Sequence, residues 1–412
     1  MFGLGPSETS TVIECASNGT CTVIHAIVTS LIIFVVLLTG FALTTVLERR
    51  LLAFLQARLG PNRTPLKGMA QPAADGIKLI FKEDITPSHA LKVVFWLAPI
   101  IKVVPSLLVV AVIPFGPKIA IPWFDGKWYR MVQGLTDVNV GVLWLLGITS
   151  IGIYGIVLAG WSSNNKYAML GALRSSAQMV SYELSMGLAM VVPVMLAGSM
   201  SVGDIITSQS DTPILSWFVF QNPLAALIMA VALLAEVNRA PFDMPEAEQE
   251  LTAGYHAEYS GMKFAMFFLA EYIGMIAVSI IGVALYFGGY SPFFFDGLPW
   301  LGPVVYTLKV IALLSAMIWV RGTLPRIRYD RLMAFGWKVM LPFSLVAVVW
   351  SAITVILEEE LSSTAFIVVI IAGWIVFLAG LALWFGRAGR KAEPTGASRR
   401  VEVVSMSGRF GR

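Results

Sequence analysis

Residues 263–286 read KFAMFFLAEYIGMIAVSIIGVALY, a run of 24 residues in which only Lys263 and Glu271 are charged. A helix of about 20 apolar residues is long enough to cross the hydrocarbon core of a bilayer. Similar runs recur along the 412-residue chain, which is 57% hydrophobic and has a mean hydropathy of +0.78. Only 13% of its residues are charged, about half the share found in soluble domains. The sequence therefore predicts an all-α, polytopic membrane protein.

The hydropathy pattern predicts nine transmembrane helices. Their approximate bounds are 24–46, 93–113, 138–160, 177–197, 224–240, 263–286, 304–320, 338–357 and 365–385. Residues 24–385 are thus expected to form a single transmembrane domain, with an outer arm at 1–23 and a basic inner tail at 386–412. Residues 1–22 contain neither a basic segment nor an apolar stretch, so we expect no cleavable signal peptide.

Lysine and arginine are concentrated on one side of the predicted spans. Of the 29 basic residues, 24 fall in the tail and in the loops at 47–92, 161–176, 239–263 and 321–338, and three fall on the opposite side. Because loops rich in lysine and arginine stay on the cytoplasmic side, the N-terminus is expected outside and the C-terminus inside.

The few cysteines and histidines limit the metal chemistry of this chain. Two cysteines cannot supply the four ligands of an iron–sulfur cluster, and three histidines far apart in sequence do not predict a catalytic zinc site. The sequence also lacks a strand, glycine-rich loop and helix in the order that binds nucleotides. Cys15 and Cys21, in the predicted outer arm, either form a disulfide in an oxidising compartment or remain free thiols.

Three carboxylates fall inside the predicted spans. Glu183 and Glu271 lie roughly 10–12 Å into the bilayer from its inner side, and Glu236 lies near the inner end of the fifth span. Each intramembrane carboxylate costs about 2.5–3.5 kcal/mol on insertion scales. Their clustering in the inner half of the membrane therefore indicates a function, and chains of carboxylates in membranes serve as proton relays.

The inner loop after the fifth span continues this acidic cluster. Residues 238–250 read NRAPFDMPEAEQE and include Arg239, Asp243, Glu246 and Glu248. The two prolines disfavour a continuous helix, and the acidic composition runs against the basic trend of the inner side. The loop is either a solvated surface or the inner end of a proton path.

A lysine lies near the middle of the second predicted span. Lys102 stands between Pro99 and Pro105, which can bend the helix and free backbone carbonyl groups to solvate an ammonium. It either pairs with an acid or marks a polar path.

Residues 71–83, QPAADGIKLIFKE, are predicted to form a short amphipathic helix in the membrane interface. Ile77, Ile80 and Phe81 fall on one of its faces, which is typical of helices that lie flat on a bilayer. The helix is either a surface anchor or the doorway of a cavity that opens to the lipid.

Several segments, taken in order, resemble the family of membrane H subunits of proton-translocating NADH–quinone oxidoreductase, respiratory complex I. They are ERR at 48–50 with RLGPNR at 58–63, and the segments 71–83, 173–183, 235–261 and 321–342, within a match that covers about residues 25–357. The resemblance implies a membrane subunit where the hydrophilic arm meets the membrane arm. It also implies that quinone is the substrate, that flavin and iron–sulfur clusters belong to partner subunits, and that this chain holds no complete redox site.

The resemblance further implies roles for individual residues. Those expected to bind quinone or to line its entrance are Arg49, Arg58, Asp75, Arg239 and Arg321. Those expected in the proton path or its coupling are Glu183, Glu236, Asp243, Glu246, Glu248 and Glu271. The implied partners are the quinone-site subunits of the hydrophilic arm, small membrane subunits and antiporter-like subunits, in the plasma membrane of a bacterium.

Two other functions stay open on the sequence alone. One is the equivalent membrane subunit of an energy-converting hydrogenase-type complex, because the site of the electron donor lies in other chains. The other is a stand-alone ion transporter, which fits the buried acids, although the sequence shows no clear internal repeat of the kind found in many transporters.

Overall fold

The computed structural model describes residues 12–65, 67–122, 127–210, 216–244, 254–291, 301–360 and 372–375. It is built of helices, which confirms the all-α membrane fold class. In chain order the helices are α1 (Gly19–Leu55), α2 (Gln71–Phe81), α3 (Lys92–Leu108), α4 (Gly141–Ser162), α5 (Lys166–Ala197), α6 (Val202–Ser208), α7 (Phe218–Gln221), α8 (Pro223–Glu236), α9 (Gly261–Tyr286), α10 (Gly302–Thr323), α11 (Tyr329–Phe335) and α12 (Leu341–Glu360). A π-helical turn, Gly336–Met340, joins the end of α11 to α12.

Seven helical stretches in the described part of the chain are long and apolar enough to cross a membrane. They correspond to α1, α3, α4, α5, α9, α10 and the continuous stretch Tyr329–Leu357. The predicted fifth span is the 14-residue α8, which at 1.5 Å per residue is only about 21 Å long. The predicted ninth span falls outside the described residues apart from 372–375, so the number of spans stays a prediction.

Several helices extend beyond the spans that hydropathy predicts. Helix α1 continues to Leu55 instead of ending near residue 46, α5 begins at Lys166 instead of 177, and α11 begins at Tyr329. A hydropathy window ends where charged residues lower its average, whereas the helix itself continues through segments in which apolar and charged residues are mixed. Parts of the predicted inner loops at 47–92, 161–176 and 321–338 are therefore helical, and Glu48 and Arg49 lie on the extension of α1.

Small residues allow the central helices to approach closely. A Cβ atom placed on Gly155 of α4 would lie 2.9 Å from the backbone nitrogen of Lys102 in α3. A Cβ on Gly160 would lie 2.3 Å from the side chain of Ala172 in α5. Glycine and alanine at such contacts are typical of helix pairs in membranes, where close backbone packing replaces the hydrophobic effect.

The connecting segments contact one another in two separate groups. Within the predicted inner group, hydrogen bonds join Ile85 to Ser260, Asn165 to Glu258 and Ile327 to Pro241. Within the predicted outer group, they join Asn18 to Tyr129, His25 to Val132 and Ser201 to Asp137. This grouping agrees with the alternation of the predicted loops, while the orientation of the chain in the membrane stays a prediction.

A three-stranded sheet that the sequence did not predict lies beside the start of α1. It consists of β1 (Val12–Glu14), β2 (Ile119–Pro122) and β3 (Trp128–Met131), in the order β1-β3-β2. Strand β3 pairs parallel with β1 and antiparallel with β2. Cys15 and Cys21, for which the sequence left two states open, are joined by a disulfide that packs against this sheet.

Helix α2 has the amphipathic form that the sequence predicts. Its exposed apolar side chains include Ile77 at 58%, Ile80 at 61% and Phe81 at 84%. No residue of α2 is buried by the described part of the chain, which is compatible with an interfacial helix that contacts lipid.

Candidate functional site

A cavity of about 70 Å³ lies among α3, α4, α8 and α9. Its polar and titratable lining consists of Lys102, Ser106, Thr149, Glu236, Asn238, Tyr255, His256 and Glu271. Because one water needs at least about 10–15 Å³ by this kind of measure, the cavity has room for several water molecules. The structure therefore brings two of the predicted carboxylates, from α8 and α9, to one polar cavity inside the helical bundle.

The third predicted carboxylate lies next to this cavity. The Ser150 hydroxyl of α4 donates a hydrogen bond to the carboxylate of Glu183 in α5, and the adjacent Thr149 lines the cavity. Glu183 and Glu236 also interact electrostatically. Glu183 is therefore coupled to Glu236, one of the two carboxylates that line the cavity.

Glu271 has a direct basic partner from the loop after α8. The Nε atom of Arg239 lies 2.5 Å from Oε1 of Glu271, and the two side chains are only 5% and 18% exposed. The Arg239 guanidinium also lies over the ring of Tyr272, 4.7 Å from its centroid. Since a buried guanidinium requires a counter-charge, this pair joins the loop to α9.

A second buried carboxylate, that of Glu48, shares a smaller cavity with Arg239. Glu48 of α1 is 6% exposed and pairs with Arg321 of α10, and its Oε2 atom accepts a 2.6 Å hydrogen bond from the Tyr272 hydroxyl. Glu48, Arg239 and Arg321 line this smaller cavity of about 10 Å³, which is close to the lower limit for a single water. Arg239 therefore lines the smaller cavity and its partner Glu271 lines the larger one.

The loop after α8 is fixed by a buried amide of α5. The Nε2 group of Gln178 donates hydrogen bonds to Ala235 O at 3.0 Å, Asn238 Oδ1 at 3.2 Å and Phe242 O at 2.8 Å. Asn238 has a φ of +56°, a left-handed conformation that asparagine adopts more readily than most residues. The position of Arg239, the next residue, is therefore set by the loop backbone as well as by its ion pair.

The two prolines of α3 leave carbonyl groups without a helical partner, because proline has no N–H. Phe95, four residues before Pro99, instead accepts a 3.3 Å hydrogen bond from the Tyr259 hydroxyl, and the two rings stack 4.0 Å apart. Burial raises the pKa of Tyr259 to about 12, so its hydroxyl stays protonated and can donate at neutral pH. Lys102 lies between these prolines and lines the larger cavity.

The residues predicted to bind quinone do not form one cluster. Arg49 lies 2.8 Å from Asp75 at the contact between α1 and α2, with side chains 44% and 32% exposed. Arg58 is exposed and donates to its neighbour Gln56 at 2.6 Å. Arg239 and Arg321 instead share the smaller cavity. The predicted set is thus divided between a surface pair, an exposed arginine and a buried cavity.

The acidic loop is only partly within the described ranges. Asp243 is half-buried in the described segment that follows Arg239. Glu246 and Glu248 lie outside the described residues, so their roles stay predictions.

The residues of this site that were not predicted to belong to it include Glu48, Tyr272 and Gln178. Glu48 begins a basic motif, but it also follows directly on the apolar run that ends near residue 46, which places it at the membrane boundary. Tyr272 stands next to Glu271 in an otherwise apolar span, which is a signal for a polar partner. No local signal marks Gln178, because its function depends on the backbone conformation of a distant loop.

Within the described ranges, no group of three His, Cys, Asp or Glu side chains is placed to hold a metal ion.

Helices that are long enough to cross a membrane surround ionisable side chains that interact with one another. These two features define the class of this protein. Charged residues inside transmembrane segments face the interior of the bundle or a water-filled cavity and mark ion or proton pathways. The structure is that of an integral membrane protein. Its interior contains a cavity that is lined by ionisable side chains and has room for water. More particularly, the chain belongs to the NADH dehydrogenase family, whose sequence profile matches residues 28–352.

Curated relatives match most of the chain. The first of two NADH-quinone oxidoreductase H subunits of Geobacter sulfurreducens is 48% identical over 336 residues, covering 80% of this chain and 94% of the relative. NADH-quinone oxidoreductase subunit 8 of Rhodothermus marinus is 47% identical over 346 residues, covering 81% and 97%. The NADH-quinone oxidoreductase H subunit of Frankia casuarinae is 46% identical over 318 residues, covering 76% and 68%.

Proposed function

We propose that this chain is the membrane H subunit of a proton-translocating NADH–quinone oxidoreductase in a bacterial plasma membrane. Its membership of the family and the names of its bacterial relatives support this assignment. The seven membrane-length helices in the described residues fit a multi-pass subunit.

The observation that supports the coupling function is a connected series of hydrogen-bond, ion-pair and cation–π contacts inside the bundle. It begins at the Arg321–Glu48 pair, continues through the Tyr272 hydroxyl, and passes by way of Arg239 to Glu271 and the larger cavity. Charge that develops near one end can change the ion pairing at the other, since the groups are buried and weakly screened. Reduction of quinone near Arg239 and Arg321 would thereby shift protons among Glu271, Glu236 and Glu183.

Quinone would enter from the lipid beside α2. The exposed apolar face of this helix suits a hydrophobic tail, and the Arg49–Asp75 pair supplies polar groups at the same place. Gln71 adds a 3.2 Å hydrogen bond to Asp75. Changing Asp75 to alanine would therefore raise the quinone concentration needed for half-maximal activity more than it lowers the maximal rate.

The redox groups would belong to partner subunits. Flavin and iron–sulfur clusters would lie in the hydrophilic arm, and this chain would contribute the floor of the quinone chamber and the start of the proton path. Arg328 of the basic loop before α11 is highly exposed, which suits a docking surface for a soluble subunit. Antiporter-like and small membrane subunits would contact the membrane-facing helices.

Gentle purification through a tag on the C-terminal tail tests the proposal. We expect flavin and iron–sulfur subunits to co-purify, together with inhibitor-sensitive NADH–quinone reductase activity. Co-purification of hydrogenase subunits would indicate an electron donor other than NADH and would contradict the NADH assignment. A homogeneous single-chain particle would contradict the whole proposal.

A further inference from the structure

The side chain of Lys102 lines the larger cavity. Its charge interacts electrostatically with both Glu236 and Glu271, which line the same space. Within the described ranges Lys102 forms no direct ion pair, so its charge acts on the carboxylates across the cavity. The ammonium of Lys102 also lies beside Gly152 of α4, where an added Cβ would be 3.7 Å from Nζ.

The two carboxylates differ in how they are otherwise neutralised. Glu271 has Arg239 at 2.5 Å. Glu236 has a buried Oε2 atom without a hydrogen-bond partner among the described residues, and it is the last residue of α8, where the helix dipole adds negative potential. Lys102 is therefore the main counter-charge of Glu236.

The lining also offers the oxygen ligands that small monovalent cations use. Carboxylate oxygens come from Glu236 and Glu271, and a hydroxyl comes from Thr149. In membrane transporters, sodium ions bind where the C-terminal end of an interrupted helix meets polar side chains near the middle of the bilayer. Glu236 offers a comparable helix end, because it is the last residue of α8 and the left-handed Asn238 follows it.

We propose that Lys102 determines the ion specificity of this cavity: its ammonium takes the place of a sodium or potassium ion in the cavity that Glu236 and Glu271 line, and restricts the cavity to protons. A covalently attached cation stays at a high effective concentration and excludes a free cation by charge and by volume. The remaining space still holds water, which can carry protons. This inference rests on the proposed function for the statement that protons use the cavity.

Sodium binding to the intact, detergent-purified complex tests the proposal. In equilibrium dialysis with radioactive sodium, we expect the Lys102→Met complex to bind one more sodium ion than the unmodified complex. Adding Glu236→Gln to Lys102→Met should abolish this extra binding, because the carboxylate that would hold the ion is then neutral. In vesicles that contain the complex, replacing choline with sodium should change the quinone reductase rate of the Lys102→Met complex. The rate of the unmodified complex should stay the same.

Lys309 supplies a matched control. It is also a lysine within a membrane-length helix, but its Nζ donates to the carbonyl oxygens of Phe287, Gly289 and Ser291. Lys309→Met should therefore bind no extra sodium. If Lys102→Met does not assemble, Lys102→Gln carries the same expectation, since it also removes the charge.

Equal sodium binding by the unmodified complex and the Lys102 variants would overturn the inference. Extra sodium that persists in the double variant would overturn it too, because the ion would then bind elsewhere. Failure of the proposed function is recognised separately, by the absence of redox subunits or NADH–quinone reductase activity from the unmodified preparation.

Discussion

Arg239 and Glu271 form a buried ion pair, with 2.5 Å between Nε and Oε1, at the boundary between two cavities. The arginine belongs to the loop after α8 and the glutamate to the middle of α9. A change in the loop therefore acts directly on a charge inside the bundle, which is the physical basis of the proposed coupling.

Breaking this pair from one side should destabilise the protein strongly. Glu271→Ala leaves the Arg239 guanidinium buried without its carboxylate, and such changes cost about 3–5 kcal/mol. We expect a clear decrease in the melting temperature of the purified complex. The control is Asp330→Ala, which removes the highly exposed partner of Arg328 and should not change the melting temperature measurably. Equal melting temperatures for the two variants would contradict the structural role of the pair.

Tyr272 should stabilise the buried Glu48 carboxylate. Tyr272→Phe removes the 2.6 Å hydrogen bond to Oε2, and a hydrogen bond to a charged group contributes about 1.5–3 kcal/mol. We expect a lower melting temperature and a lower quinone reductase rate. Tyr154→Phe is the control, because Tyr154 is 64% exposed. A Tyr272→Phe complex as stable and active as the control would contradict the predicted contribution of this bond.

Two glycines of α4 provide a matched test of helix packing. A Cβ on Gly155 would lie 2.9 Å from both the backbone nitrogen and the Cβ of Lys102, whereas a Cβ on Gly147 meets no atom within 4 Å. Gly155→Ala should therefore push α3 away from α4 and lower both stability and activity. Gly147→Ala should be neutral or stabilising, since alanine favours a helix by up to about 1 kcal/mol over glycine. The same response in both variants would show that α3 and α4 are not packed in this way.

Gln178 should hold the loop after α8 in place. Gln178→Ala removes the amide that donates to Ala235 O, Asn238 Oδ1 and Phe242 O, and a typical hydrogen bond contributes about 0.5–1.5 kcal/mol. We expect faster hydrogen exchange at residues 238–244 and a lower quinone reductase rate. Ser176→Ala, at a partly exposed position on the same helix, should leave exchange in the loop unchanged. Unchanged exchange in Gln178→Ala would contradict the proposed anchor.

The fold class was predictable because bilayer spans require long apolar runs that are visible in the sequence. Seven of the nine predicted spans correspond to membrane-length helices. Helix ends were not predictable from hydropathy, because charged residues such as Glu48, Arg49 and Arg50 interrupt the apolar run of α1, and Lys166 and Arg174 interrupt that of α5, while the helical hydrogen bonds continue. The end of the fifth predicted span is displaced because Glu236 ends α8, while the apolar window continues to residue 240.

The buried carboxylates of the candidate site were predictable from the sequence. The side chains that contact them were less so. The cost of burying Glu183, Glu236 and Glu271 singles them out on the sequence alone. Their partners Ser150, Lys102 and Arg239 come from other segments of the chain, and single-sequence patterns contain no information on such distant contacts. Tyr272 was not predicted because a tyrosine in an apolar span is also a common packing residue.

The most direct test of the central claim is proton uptake by vesicles that contain the complex with Glu183→Gln or Glu236→Gln. Both variants remove a carboxylate from this coupled pair while keeping nearly the same volume. The proposed coupling predicts an assembled complex that moves fewer protons for each NADH oxidised, or that oxidises NADH more slowly, than the unmodified complex. Unchanged proton uptake and unchanged NADH oxidation in both variants would contradict it.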